Sequence, residues 1–387
     1  MAGILDSLSI EGFKSIREMR DLPLKNINVL IGPNGVGKSN FIGFFRLLRA
    51  MIDEGLQLFV RTQGGADAFL HLGPKFTEQI VGKMRFGDNG YDFSLVPSID
   101  GSSLIIESEL VSFNSGIYPP AVHRIGSGLL EAQIRKLKDR PALKGGRGME
   151  GYVFDSVSSW VVYHFHDTSE SSSIRRAGKI AENDSLQADG GNLAAYLYRL
   201  RHTHPNDYRQ IVEVIQLAAP FFRDFNLRPN PLNPDYIQLE WFQLGSDYVL
   251  LPSQLSDGTL RFICLAVALL QPDRPSTLLF DEPELGLHPY ALVLLGRLFR
   301  QATISPLGWP NQQVIVSTQS PLLLNEFEPE EVIVVERAGG QSEFRRLNSE
   351  DLSEWLTEYT LGELWQKNVL GARPHSESPL AMNEVWR

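Results

Sequence analysis

Gly32-Pro33-Asn34-Gly35-Val36-Gly37-Lys38-Ser39 completes a G-x-x-x-x-G-K-S pattern directly after the apolar run Ile27 to Ile31. A strand that feeds a glycine-rich turn and then a helix is the context a nucleoside triphosphate needs. The glycines let backbone N–H groups close around phosphate oxygens, and the following helix points its positive end at them. In such a loop Lys38 reaches the β and γ phosphates and the Ser39 hydroxyl ligates Mg²⁺. Phe41, Phe44, Phe45, Leu48, Met51 and Ile52 recur at helical spacing, so the helix follows at once. A glycine-rich surface turn is the bland alternative, and it stands only without downstream support.

Two downstream motifs supply that support. Ser276 to Phe280 is a short apolar run ending in Asp281-Glu282-Pro283-Glu284. It reads as a buried parallel strand delivering acids at its C-terminal end, where open α/β sheets bind ligands. Asp281 is expected to hold the Mg²⁺ shell, and Glu282 to polarise the attacking water as general base. Leu255-Ser256-Asp257-Gly258-Thr259 then precedes the helix-like stretch Leu260 to Leu270. Ser256 and Gly258 would sit at that helix's N-terminus, where free N–H groups favour an anion. Plain N-capping explains the same residues when they are taken alone. Their position just upstream of the Asp-Glu strand favours the functional reading.

Together these residues resemble the ABC-type ATPase superfamily, and within it the RecF/SMC/OLD branch. The resemblance is carried by Ile10-Glu11-Gly12-Phe13-Lys14-Ser15-Ile16, by the Gly-Pro-Asn-Gly form of the loop, and by Asp281-Glu282-Pro283-Glu284-Leu285-Gly286-Leu287-His288-Pro289. Val314-Ile315-Val316-Ser317-Thr318-Gln319-Ser320-Pro321 adds to it. It spans most of residues 1–345 and is loose in the middle. It implies ATP and Mg²⁺ as cofactors, with Gly32, Pro33, Asn34, Gly35, Val36, Gly37, Lys38, Ser39 and Asn40 around the nucleotide. Lys14 and Ser15 fall where such proteins approach base and sugar. Gln63 is a candidate Q-loop glutamine, although a lone glutamine in a polar loop is more often simply solvated. Ser39 and Asp281 are the implied metal ligands, Lys38, Glu282 and Gln319 the implied catalytic set. Leu285 to Pro289 resembles a D-loop touching a dimer partner. Family members usually carry His where Gln319 stands; glutamine donates a hydrogen bond but carries no charge, which implies slow or partner-dependent hydrolysis.

The resemblance implies an α/β fold: a P-loop ABC-ATPase-like head with a mixed central sheet, an antiparallel β-lobe and a helical insertion. The expected division is an N-terminal ATPase lobe over 1–114, an inserted, mainly helical region over 115–235, a C-terminal ATPase lobe over 236–347, and helices with a tail over 348–387. Met84 to Phe86 and Tyr91 to Val96 flank an Asn89-Gly90 hairpin signal, and Asp100-Gly101 marks a second turn. Helical periodicity runs from 190 to 225, behind a candidate N-cap in Asp189-Gly190-Gly191-Asn192. No heptad pattern spans several turns between the motifs, which excludes long coiled-coil arms. No Asp-x-Asp occurs in the chain, so nuclease activity is expected of another polypeptide.

The net charge of −10 disfavours a broad nucleic-acid coat. Arg135, Lys136, Lys138, Arg140, Lys144 and Arg147 form a local basic stretch, better read as a solvated helix end and loop than as a DNA contact. His164-x-His166 places two imidazoles on one strand face, but with no cysteine nearby a polar strand edge explains them better than a metal. The lone Cys264 sits inside an apolar run and reads as a small buried hydrophobe. No signal peptide or membrane span is evident, so a cytoplasmic location is expected.

The expected function is an ATP-hydrolysing switch that forms an ATP-dependent homodimer or higher oligomer, without a membrane. It would act in DNA repair or anti-phage defence beside a separate effector or nuclease chain, with DNA a candidate partner. The alternatives are the ATPase subunit of a membrane transporter and a nucleotide-sensing scaffold without turnover.

Overall fold

The computed structural model describes residues 3–117, 119–142, 148–304 and 312–371. In chain order its strands are β1 (Ser7–Phe13), β2 (Ile16–Pro23), β3 (Ile27–Ile31), β4 (Ile80–Phe86), β5 (Asn89–Pro97), β6 (Leu104–Phe113), β7 (Ala121–Gly126), β8 (Trp160–Tyr163), β9 (Gly178–Lys179), β10 (Phe222–Phe225), β11 (Pro229–Asn230), β12 (Asn233–Ile237), β13 (Trp241–Gln243), β14 (Val249–Leu250), β15 (Thr277–Asp281), β16 (Gln313–Thr318), β17 (Val332–Ala338) and β18 (Gln341–Arg346). The central sheet has the order β18-β17-β3-β16-β15-β8. Its pairs from β17 to β8 are parallel and β18 is antiparallel, so the sheet is mixed.

Every residue of β3 and β16 is buried, as strands covered on both faces require. Alternation along these strands divides two cores. Val29, Ile31, Leu278, Phe280, Val314 and Val316 point into one, which also takes the helices Leu193–Thr203, Pro205–Ala218, Asp257–Leu270 and Pro289–Thr303. Leu30, Leu279, Ile315, Ile333 and Val335 point into the other, shared with the Lys38–Ile52 helix and the β-lobe. A one-residue slip of either strand would exchange the two sets of side chains.

The Lys38–Ile52 helix is the wedge between sheet and lobe. Phe44 packs on Phe13 and Phe93, Phe45 on Trp160, and Phe41 on Phe344. Each such ring contributes about 1.5–3 kcal/mol of burial, an upper bound for a compact unfolded reference. Ring packing thus anchors the helix whose first turn carries Lys38 and Ser39.

The lobe is the antiparallel sheet β2-β1-β4-β5-β6-β7. Its first hairpin turns at Gly87-Asp88 rather than at Asn89-Gly90, which already belong to β5, with Phe86 opposite Asn89. Gly87 takes the left-handed conformation (φ 56°), which a two-residue turn between strands of right-handed twist requires. Within 115–235, β7 joins the lobe, the Met149–Ser158 helix packs on the Lys38–Ile52 helix, β8 forms an edge of the central sheet, and the two helices over 193–218 pack beneath it. Asn192 occupies the N-cap position without capping; its side chain instead binds Gln187 N, Glu182 O and Ser185 O, closing the preceding loop. The longest helices among the described residues run 15 residues, and no helix among them is long and apolar enough to cross a membrane. The expected tail lies outside the described residues from position 372 onward.

Candidate functional site

The parallel register brings the C-terminal ends of β3, β16 and β15 level: Ile31 lies opposite Thr318, and Ser317 opposite Asp281. The phosphate loop leaves β3, the acids leave β15, and the strand between them ends in Thr318-Gln319. Sequence-distant motifs therefore meet at one sheet edge.

Three glycines shape the loop, with Gly32, Gly35 and Gly37 at φ 153°, 79° and 113°. A Cβ on Gly37 would lie 2.2 Å from Ser342 Oγ and 2.5 Å from Ser15 Oγ, so only glycine fits there. Gly35 has nothing around its missing Cβ and lies open at the loop's tip. Lys38 is buried, its ammonium donating to Gly32 O at 2.6 Å and Pro33 O at 3.0 Å. Desolvation lowers its pKa, and Glu282, Asp281 and Glu284 oppose that shift. A cation held among loop carbonyls and facing three acids suits polyphosphate binding.

Ser39 Oγ donates to Asp281 Oδ1 at 3.3 Å, and Ser317 Oγ bonds the same oxygen. Hydroxyl and carboxylate oxygens converging in this way match the hard-oxygen ligation of Mg²⁺, and Ser39 with Asp281 would hold it. Bound there, Mg²⁺ would neutralise phosphate charge. Ser317 has no role that its sequence position alone would suggest. Its backbone O and its Oγ both accept from Glu282 N–H, at 3.0 and 3.1 Å. Glu282 itself adopts φ 45°, a left-handed conformation that costs a non-glycine residue about 1–3 kcal/mol. The two Ser317 contacts hold that strained turn and aim the Glu282 carboxylate. Gln319 Nε2 donates to Glu282 Oε1, and Gln319 N–H donates to Glu284 Oε1 at 2.6 Å. Glu284 is pushed upward in pKa, first by burial. Gln319 thus acts on the Glu282 carboxylate itself.

The remaining predicted residues fall into two groups. Asn40 Nδ2 donates to Ser15 Oγ at 2.7 Å; Ser342 Oγ donates to Val36 O and lies 2.7 Å from Ser15 Oγ, from whose hydroxyl it can accept. Ser15 and Asn40 therefore brace the phosphate loop from behind. Lys14 (φ 50°) holds its ammonium over the rings of Phe13 and Phe69, where burial and then Arg46 lower its pKa. Gln63 is exposed at the end of the Leu56–Thr62 helix, and no hydrogen bond among the described residues joins it to the phosphate loop or the acids.

Ser256 caps the Asp257–Leu270 helix by accepting from Thr259 N–H at 3.1 Å. Gly258 lies against the Gly286 turn, where a Cβ would stand 2.1 Å from Gly286 O. Arg261, one turn further, donates to Phe165 O at 2.9 Å, to His166 O at 3.1 Å and to Leu285 O. A lone arginine inside the apolar run 260–270 is the sequence signal for this link. Although His166 is exposed, its ring is partly desolvated, which lowers its pKa, and the field of Asp281 and Glu282 opposes that lowering. His164 and His166 are both exposed, and no metal-holding group of three His, Cys, Asp or Glu occurs among the described residues.

The basic stretch is largely neutralised: Arg135 pairs with Asp53, Lys136 with Glu54, Lys138 with Asp139 and Arg140 with Glu150. Lys144 and Arg147 lie outside the described residues.

The family model described as "AAA domain, putative AbiEii toxin, Type IV TA system" matches residues 27–91 and 157–325, more than half of the chain and all of the motifs from the phosphate loop to Gln319. The chain belongs to this AAA domain family. No curated protein matches it. Among solved structures, an SMC head bound to the C-terminal winged-helix domain of ScpA is similar over 90% of this chain and 99% of that one, at 15% identity and TM-score 0.57. An SMC head domain from Thermotoga maritima (14% identity, 90% and 100% coverage, TM-score 0.41) also matches. So does an SMC head with an extended coiled coil bound to a ScpA domain from Pyrococcus furiosus (16%, 92% and 98%, 0.49). The first of these, at TM-score 0.57, gives the fold: this chain folds like an SMC head.

Proposed function

We propose that this chain binds and hydrolyses ATP with Mg²⁺ as a head-to-tail homodimer, each phosphate loop covered by the other copy's Ser256 and Gly258. The observation that carries the reading is that, among the described residues, no hydrogen bond joins the Ser256–Gly258 turn to the phosphate-loop set of the same protomer. Lys38, Ser39 and Asp281 converge at one place, whereas Ser256 and Gly258 are engaged with Thr259 and the Gly286 turn. A second copy brings the helix N-terminus of one chain to the γ-phosphate held by the other.

Within such a site Lys38 binds phosphate oxygens and the loop glycines present their N–H groups. Glu282, held by Ser317 and Gln319, takes the proton of the attacking water. Closure around the nucleotide favours the dimer, and loss of γ-phosphate contacts releases it. We further assign the switch to the control of a separate effector or nuclease chain; the family description names a toxin, which favours a defence role over DNA repair.

Phosphate release by the purified protein tests the enzymatic part. Mg²⁺-dependent turnover that disappears in both Lys38→Ala and Glu282→Gln is expected. Turnover that survives Lys38→Ala would contradict the assigned site.

A further inference from the structure

The signature helix begins with an anomaly. Its first residue, Asp257, puts a carboxylate between Ser256 and Gly258, the two positions meant to receive a phosphate. The Asp257 side chain is 67% exposed, so its charge stands in solvent beside those two residues. Carboxylate and phosphate repel each other at such range, and one turn of helix dipole does not cancel a full charge.

Arg175 answers that charge from behind. It lies in the short helical turn Ser173–Arg175 and is only 8% exposed. Nη2 donates to Asp257 Oδ1 at 2.7 Å. Nε donates to Thr168 O at 2.8 Å, Nη1 to Pro252 O, and both terminal nitrogens approach Leu255 O at 3.3–3.4 Å. The guanidinium is thus fixed by the Thr168 carbonyl on one segment and by the Pro252 and Leu255 carbonyls that lead into the signature turn. Only a planar fork with several donors satisfies that arrangement.

We propose that Arg175 is a positioning residue for the trans nucleotide: it neutralises Asp257 and sets the signature turn so that Ser256 and Gly258 can accept the partner's γ-phosphate. The proposal rests on the head-to-tail reading above. It also gives the loop 164–175 a purpose. One end of that loop, at Phe165 and His166, is tied through Arg261 to the D-loop, and the other end, at Arg175, is tied to the signature.

The test measures dimer dissociation with saturating Mg-ATP by sedimentation, in the Glu282→Gln background. Adding Arg175→Ala is expected to weaken the dimer about 10–100-fold, the size of one uncompensated charge near a phosphate. Nucleotide affinity of the isolated protomer should stay unchanged, because the phosphate loop is untouched. Adding Asp257→Gly to Arg175→Ala removes the charge that needs compensation and should restore the dimer to within about threefold. A purely structural staple would give no such rescue, and that result overturns the proposal. Should Arg175→Ala fail to fold, Asp257→Asn decides the matter with Arg175 intact. It is expected to dimerise at least as tightly as its parent, and a weaker dimer would show that the carboxylate itself is required. If the Glu282→Gln parent stays monomeric with ATP, the dimer reading fails and the proposal with it. If the parent dimerises and Arg175→Ala matches it, only the proposal fails.

Discussion

Gly258→Ala isolates the contact between signature and D-loop. The added Cβ would sit 2.1 Å from Gly286 O and 3.1 Å from Gly286 C, both backbone atoms that cannot rotate away. Restoring even a 3.0 Å contact requires the helix start and the D-loop to part by about 0.9 Å. Overpacking of this kind costs about 1–3 kcal/mol. Helix propensity offsets at most about 1 kcal/mol of it, because alanine is the better helix former. The net leaves stability lower by at most about 3 kcal/mol, read as a fall in melting temperature. Function should suffer far more, since a displacement of about 1 Å in a catalytic constellation costs about 100-fold. The assay pairs thermal denaturation with steady-state phosphate release and with sedimentation of the Glu282→Gln double variant in Mg-ATP. A nearly folded-as-parent protein with turnover and dimerisation lost is the expected pattern. Unchanged turnover and an unchanged dimer would refute the idea that the close approach of Gly258 to Gly286 sets the geometry of the site.

Ser317→Ala removes the hydroxyl that serves both Asp281 and Glu282 N–H; a loss of about 1–3 kcal/mol in stability and a raised Mg²⁺ requirement for turnover are expected, read by melting and by Mg²⁺ titration. Gln319→Ala releases Glu282 Oε1, so kcat should fall about 10–100-fold while ATP affinity holds, and an affinity loss without a kcat effect would place Gln319 on the nucleotide instead. In the β-lobe the buried Glu109 carboxyl, bonded by Tyr91 and by the N–H groups of Gln133 and Ile134, has its pKa raised chiefly by burial. The native state therefore keeps its proton to higher pH than the unfolded chain. This contribution to stability is full below the ordinary carboxylate pKa and fades as pH rises through the raised one. Glu109→Gln should flatten that part of the stability–pH curve, and an unaltered slope would remove Glu109 as its cause.

The central sheet is legible in the sequence because its strands are apolar throughout and end in chemically distinctive residues. Ile27–Ile31 runs straight into the glycine-rich loop, and Thr277–Asp281 runs straight into Glu282-Pro283-Glu284. The first lobe hairpin lies two residues earlier than its strongest signal, because Asn89-Gly90 is a better turn pair than Gly87-Asp88 and only the pairing of Phe86 with Asn89 decides between them. Arg175 is invisible for a different reason. Its partners, Thr168, Pro252, Leu255 and Asp257, are mostly backbone carbonyls up to 82 positions away, and carbonyls leave no mark in a sequence. Ser317 lies within a recognised motif, yet its role appears only when β16 is seen between β3 and β15. Ser15 and Asn40 show the converse: motif position places them beside the nucleotide, while their hydrogen bonds to each other and to Ser342 brace the loop.

The mass of purified Glu282→Gln protein, measured with and without Mg-ATP, tests the account most directly. Removing the general base while keeping Ser39, Asp281 and the phosphate loop should trap the closed state, so an ATP-dependent doubling in mass is predicted. A protein that stays monomeric at saturating Mg-ATP contradicts the head-to-tail dimer.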